Sequence, residues 1–252
     1  MAKETGWGVV AGEYKDSFID KEGSYHATVI LPNLLRIVDP KPGMKILEVG
    51  CGDGYFTTHF AQKGAEVVGS DIAREMIDAA KKREPKLEWH VAPADQLSFA
   101  KDNFFDTVVV VLALQNIENL SGAISEASRV LKPKGSVVFV LNHPVFRVPK
   151  KSSWGFDEAT NTQYRRLDAY LSEFSEEIDM DPGKESNKRT TVSFHRPLQL
   201  YIKVLAKHGF GVVGFEEWIS NKKSQSGPRQ KAEDVARKEF PLFLAVTARK
   251  IG

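Results

Sequence analysis

The sequence predicts an α/β fold built on a doubly wound, mostly parallel sheet, with an insertion after the fifth strand. Three observations predict it. Strand-like and helix-like segments alternate regularly as far as Leu141. An apolar run enters a glycine-rich turn, ILEVGCGDGYFT (Ile46 to Thr57), and leaves it as a helix. The alternation then stops at Val145 and resumes only after Thr191. Alternation of this kind marks a parallel sheet with right-handed crossovers.

The elements follow in order. Ser24 to Val38 spaces Val29, Ile30, Leu34, Leu35 and Val38 as one helix face, with a kink expected at Pro32. Lys41-Pro42-Gly43 breaks the chain before a short buried strand, Met44 to Val49. Tyr55 to Lys63 reads as a helix ended by Gly64, Ala65 to Ser70 as the second strand, and Arg74 to Arg83 as a helix stopped near Pro85. Leu87 to Ala92 is the third strand. Thr107 to Ala113 (TVVVVLA) is the fourth, with the β-branched continuity of a strand covered on both faces. Ser121 to Leu131 is an amphipathic helix and Ser136 to Leu141 the fifth strand. Val145 to Thr191 carries scattered aromatics and charges without a sustained period, too long for a simple connection; it reads as an insertion with room for short helices. Pro197 to His208 is a helix, and Gly211 to Trp218 and Leu242 to Ala248 are the last two strands. Between those strands lies a polar stretch, helical over Arg229 to Lys238.

Length and composition bound the function. A chain of 252 residues suits one domain with an insertion, divided here as an N-terminal helical segment over 1–39, the sheet, and the insertion over 145–195. Its 35 basic and 33 acidic residues nearly cancel, and the basic pairs are dispersed, so no nucleic-acid groove is expected. One cysteine, Cys51, allows neither an internal disulfide nor a cysteine-based zinc site, and no metal site is expected. The start has no apolar leader and the longest apolar run is too short for a bilayer, which predicts a cytoplasmic protein without a membrane partner, as monomer or homodimer.

The glycine turn narrows the ligand. Gly50, Gly52 and Gly54 remove side-chain clashes where backbone must approach a bound molecule. A dinucleotide fingerprint would need its third glycine at Tyr55, and the strand-end acid Glu48 would repel a pyrophosphate but attract a cation. Asp71 closes the second strand, where a carboxylate can accept from both vicinal hydroxyls of a ribose, or else cap the next helix. Asp95, in APADQL after the third strand, can accept from an adenine amine with Gln96 beside it, or else organise a turn.

With ILEVGCGDGYFT, VVGSDIA, APADQLSF and FDTVVVVLALQNIEN in this order, the chain resembles the class I S-adenosylmethionine-dependent methyltransferases. More closely it resembles the type-11, ubiquinone-biosynthesis-like small-molecule group, strongly over about Pro40 to Gly135. The resemblance implies a Rossmann-like sheet of seven strands in order 3-2-1-4-5-7-6 with the seventh antiparallel. It implies S-adenosylmethionine as cofactor and S-adenosylhomocysteine as product. In that arrangement Glu48 and the backbone of Gly50, Gly52 and Gly54 hold the methionine portion, and Asp71 takes the ribose. Ile72 packs on the adenine, Asp95 and Gln96 read its edge, and Leu112 to Asn116 pass the sulfonium. The segment over 1–39 would fold over the cofactor, with Tyr14 and Tyr25 as lid residues.

The acceptor is less legible. His143 follows the fifth strand and His195 opens the helix after the insertion, so these two are the candidate bases, with Asn116, Asn142 and Arg196 as candidate substrate contacts. The aromatics Trp154, Phe156, Tyr164 and Tyr170 mark the insertion as a cover for a small, partly apolar acceptor, or as an oligomer contact. The competing readings are an RNA or protein methyltransferase, an NAD(P)-dependent oxidoreductase, and a non-catalytic cofactor-binding protein.

Overall fold

The computed structural model describes residues 23–179 and 190–251. Tyr14 therefore lies outside the described residues. The sheet is set by short strands that are apolar on both faces. In β1 (Lys45–Val49) Ile46 and Leu47 are fully buried on opposite sides, and in β4 (Phe105–Val111) Val108 and Val109 repeat the pattern. β1 runs parallel to β2 (Glu66–Asp71) on one side and to β4 on the other, and β3 (Glu88–Val91) extends the β2 edge. Beyond β4 lies β5 (Leu131–Asn142), parallel to it. β11 (Phe243–Lys250) is antiparallel to β5, and β10 (Phe210–Trp218) antiparallel to β11. The order is thus β3-β2-β1-β4-β5-β11-β10, the seven-stranded arrangement implied above. The chain reverses its winding between β1 and β4, the crevice where open α/β sheets bind ligands.

Alternate side chains of the strands feed two cores. On one face Leu47, Val108, Phe139 and Leu244 pack with α4 (Leu120–Val130) and α5 (Leu198–Lys207) through Ile124, Val130 and Leu205. On the other, Ile46, Val109, Val140 and Ala245 meet Leu34 of α1 (Leu31–Val38) and Phe56 and Phe60 of α2 (Tyr55–Gln62). Truncating a fully buried ring such as Phe60 to alanine costs ~3–5 kcal/mol. A small satellite core joins Ile77 and Ala80 of α3 (Arg74–Arg83) to Trp89 and Cys51.

Two segments differ from expectation. The helix expected over Ser24 to Val38 is divided: His26–Ile30 forms a π-helical turn and α1 continues from Leu31, with Pro32 in its first turn, where a missing N–H costs nothing. The insertion contains no helix among its described residues. It forms two antiparallel hairpins, β6 (Ser152–Asp157) with β7 (Thr162–Leu167), and β8 (Phe174–Asp179) with β9 (Thr190–His195). The first packs beside α6 (Gln230–Glu239), where Trp154 meets Phe240 edge to face. Among the described residues no helix is long and apolar enough to cross a membrane.

Candidate active site

The glycine turn is shaped by three different demands. All three glycines take positive φ, at 71° for Gly50, 54° for Gly52 and 80° for Gly54. A side chain on Gly50 would come within 2.5 Å of Ala113 Cβ, and one on Gly54 within 2.4 Å of the Trp89 ring, so these positions are required by packing. A Cβ on Gly52 would meet nothing within 4 Å. Gly52 is the glycine that borders open space, and that space is a cavity of about 1080 Å³ at the ends of β1, β2 and β4.

Carboxylates surround it. Glu48, in register with Gly69 and Val109 near the end of β1, is almost fully buried and accepts a hydrogen bond from the Thr57 hydroxyl. Burial pushes its pKa up to about 8, so the folded protein keeps this carboxyl protonated at neutral pH when nothing cationic is bound. Asp71 accepts from the Gly52 N–H at 2.9 Å and the Ala73 N–H at 2.9 Å, tying the first turn to the second. Burial raises its pKa against those bonds and a further backbone interaction from Ile72. Asp53 pairs with Arg83 through one carboxylate oxygen; its other oxygen, Oδ1, is buried without a hydrogen-bond partner among the described residues. Asp95 accepts from Asn119 Nδ2 at 2.8 Å, while Asn119 Oδ1 caps α4 through the Gly122 N–H.

The cavity lining includes Glu48, Asp53, Asp71, Asp95 and Glu118 and, among the described residues, no lysine or arginine. A pyrophosphate would find five acids and no cation there, whereas a ligand with positive groups would be favoured. Apolar side chains share the lining. Leu112 takes a left-handed conformation, φ 52°, unusual for a branched side chain. It is held by its N–H to Val140 O at 2.8 Å and by Gln115 Nε2, which donates to its carbonyl at 2.6 Å. Phe56, Ile117, Val192 and Phe194 add to that apolar set, the last two brought in by β9.

Of the residues singled out from sequence, Glu48, Gly50, Gly52, Asp71, Ile72, Asp95, Gln96, Leu112 and Asn116 line this one cavity. Gly54 does not; it packs against Trp89 and Ala80 instead. Neither candidate base lines it. His143 is buried, with Nε2 against Glu217 at 2.8 Å and Nδ1 accepting from the Val145 and Phe146 N–H groups, and burial lowers its pKa. His195 Nε2 donates to the Tyr170 carbonyl at 2.7 Å. Both rings therefore hold loops in place. Asn142 accepts from Arg147 at 2.7 Å and Tyr25 bonds Ser220 at 2.8 Å, both outside the cavity lining. Buried Arg196 donates to the carbonyls of Ile117 and Glu118, clamping the loop whose side chains form one rim.

The sequence reading missed several lining residues: His26, Phe56, Asn119, Val192 and Phe194. Asn119 carried a readable signal, an Asn immediately before the helical run of α4. His26 carried none, since it sits inside an ordinary apolar period. Cys51 also lines the cavity, but burial and the nearby acids push its thiol pKa well above the ordinary value, which leaves it inert at neutral pH.

Known proteins agree with this geometry. Residues 47–139 match the type-11 family model described as a methyltransferase domain. The demethylmenaquinone methyltransferase of Streptomyces avermitilis is 37% identical over 112 residues, 44% of this chain and 48% of the relative. The biotin biosynthesis bifunctional protein BioHC of Cellvibrio japonicus is 33% identical over 111 residues, 44% of this chain and 22% of the relative. The chain thus spans about half the length, or less, of these curated relatives. The crystal structure of an S-adenosylmethionine dependent methyltransferase from Mesorhizobium loti superposes with a TM-score of 0.68 at 26% identity. That match covers 86% of this chain and 96% of the other. Sheet order, glycine turn and acidic cavity therefore define a class I S-adenosylmethionine-dependent methyltransferase domain. Within that class it is the type-11 model that residues 47–139 match.

Proposed function

We propose that this chain transfers a methyl group from S-adenosylmethionine to an O, N or C atom of a small, partly apolar acceptor bound in the same cavity. The observation that carries the reading is the lining itself: five acidic residues beside apolar side chains, with no lysine or arginine among the described residues. Its volume, about 1080 Å³, lies just above the ~300–1,000 Å³ range of small-molecule sites. That supports a nucleoside-sized donor and a second molecule together.

In this reading Glu48 and the backbone of the turn from Gly50 to Gly54 hold the methionine portion. Asp71 binds the ribose hydroxyls, Ile72 packs on the adenine, and Asp95 with Gln96 reads its edge. When bound, S-adenosylmethionine supplies an electrophilic methyl group on a sulfonium that is already a good leaving group. The protein's work is then to align the acceptor and to exclude water. The strained Leu112 and the neighbouring Asn116 form the wall along which the acceptor is aligned, and β9 covers it with Val192 and Phe194. Arg196 is a positioning residue that acts through the loop at Ile117 and Glu118. Relatives named for menaquinone and biotin chemistry support a small-molecule acceptor, and the acidic lining disfavours RNA.

The test is a methylation screen. Protein and isotopically labelled S-adenosylmethionine are incubated with small-metabolite, RNA and protein fractions of a cell extract, and labelled products are identified by mass. The reading expects label in the small-molecule fraction. Label confined to RNA or protein would replace the acceptor class while leaving the donor in place.

A further inference from the structure

The chain has six histidines, and five of them have a ring nitrogen within hydrogen-bond distance of a partner: His59 with Tyr55 O, His90 with Glu88, His143 with Glu217, His195 with Tyr170 O and His208 with Ser121. The sixth, His26, has no hydrogen bond to its ring among the described residues, and it is the histidine that lines the cavity. It stands on the π-helical turn before α1, with its ring centroid 6.0 Å from that of Phe56. Turns of this kind occur as single interruptions, often at functional sites, because they re-aim side chains that a regular helix would direct elsewhere.

We propose that His26 is the acceptor-side residue of this site, facing the reacting sulfur and taking the proton that the acceptor loses. The inference rests on the methyltransferase reading above. As the acceptor's lone pair forms its bond to the methyl carbon, the carbon–sulfur bond breaks and its electrons stay on sulfur. The acceptor–hydrogen bonding pair becomes a lone pair on the methylated atom, and the proton passes to a ring nitrogen of His26. The positive charge that leaves sulfur thus reappears on the imidazolium, and solvent later removes the proton.

The surroundings suit a proton acceptor. Burial holds the ring's pKa below the ordinary value, so it is neutral and ready to accept at physiological pH; the opposing influence is Asp53, already paired with Arg83. Glu48 lines the same cavity, and the ring recorded beside His26, Phe56, comes from α2. His143 has both ring nitrogens engaged, by Glu217 of β10 and by the loop after β5, and His195 has Nε2 engaged by the Tyr170 carbonyl.

The test titrates the His26 ring by NMR, assigned by the resonance lost in His26→Gln, in the presence of saturating S-adenosylmethionine or S-adenosylhomocysteine. The two differ by one methyl group and one positive charge. A unit charge within about 8 Å at an effective dielectric constant of about 20 weakens proton binding by at least tenfold. His26 is expected to bind its proton about tenfold more weakly with the sulfonium than with the thioether, while His26→Gln keeps its affinity for S-adenosylhomocysteine within about threefold. Equal midpoints with both ligands, or a ring that does not titrate, overturn the assignment and leave the donor site standing. Failure of both ligands to bind the wild-type protein overturns the methyltransferase reading and this proposal with it.

Discussion

Replacing Glu48 by glutamine removes one titration and almost no volume, so it isolates what burial has done to this acid. The folded protein holds Glu48 at a pKa of about 8 against an ordinary 4.5. Below the ordinary value both folded and unfolded chains carry the proton, and the site costs nothing. Between the two values the unfolded chain has released its proton while the folded chain retains it, so folding stability falls as pH rises. Above about 8 the loss is complete. At ~1.36 kcal/mol per pH unit the separation corresponds to at most about 5 kcal/mol, which relaxation and water entry reduce to about 2–4 kcal/mol. Urea unfolding of wild type and Glu48→Gln across this window measures it directly. The stability of the variant relative to wild type should rise by about 2–4 kcal/mol from the acid to the alkaline end. A difference independent of pH would show that the carboxyl is ionised throughout and refute the burial argument. The same linkage reaches binding: a cationic ligand that ionises Glu48 releases a proton near neutrality. The affinity for S-adenosylmethionine should therefore climb with pH by up to about tenfold per unit until about 8, and Glu48→Gln should flatten that climb.

Other substitutions separate binding from packing. Asp71→Ala should weaken S-adenosylhomocysteine binding by ~1–3 kcal/mol in calorimetry, by leaving ribose hydroxyls unpaired; unchanged affinity removes Asp71 from that role. Gly52→Ala places a Cβ in open space at φ 54°, so thermal unfolding should register only ~1–2 kcal/mol while donor affinity falls further. Gly50→Ala, which strikes Ala113, should reverse that balance, and equal effects in the two variants would contradict the division of labour in the turn. His143→Gln should lower stability and spare donor affinity, because the ring ties Glu217 to the loop after β5. A large loss of affinity with unchanged stability would return His143 to the site.

The parts legible in the sequence are those where burial imposes a pattern. β1, β4 and β5 are covered on both faces, so their apolar runs stand out, and Glu48 near the end of β1 is conspicuous against that background. The hairpins of the insertion were not legible for the same reason inverted. Along β7 the side chains alternate between exposed and half-buried, so TQYRRL shows no apolar period, and short helices were as reasonable an expectation. His143 and His195 follow or end strands, positions that suggest a site, but nothing in the sequence marks their ring partners, Glu217 and the Tyr170 carbonyl, which lie 74 and 25 residues away. His26 was hidden because a π-helical turn changes the direction of a side chain without changing the residues that compose it.

The central claim is that this acidic cavity binds a sulfonium-bearing adenosine and transfers its methyl group. Calorimetric titration of the chain with S-adenosylmethionine, S-adenosylhomocysteine and NADH tests its first half most directly. The account predicts one site per chain for each of the first two and no measurable heat of binding for NADH. Saturable binding of NADH, with neither S-adenosyl compound bound, would contradict it.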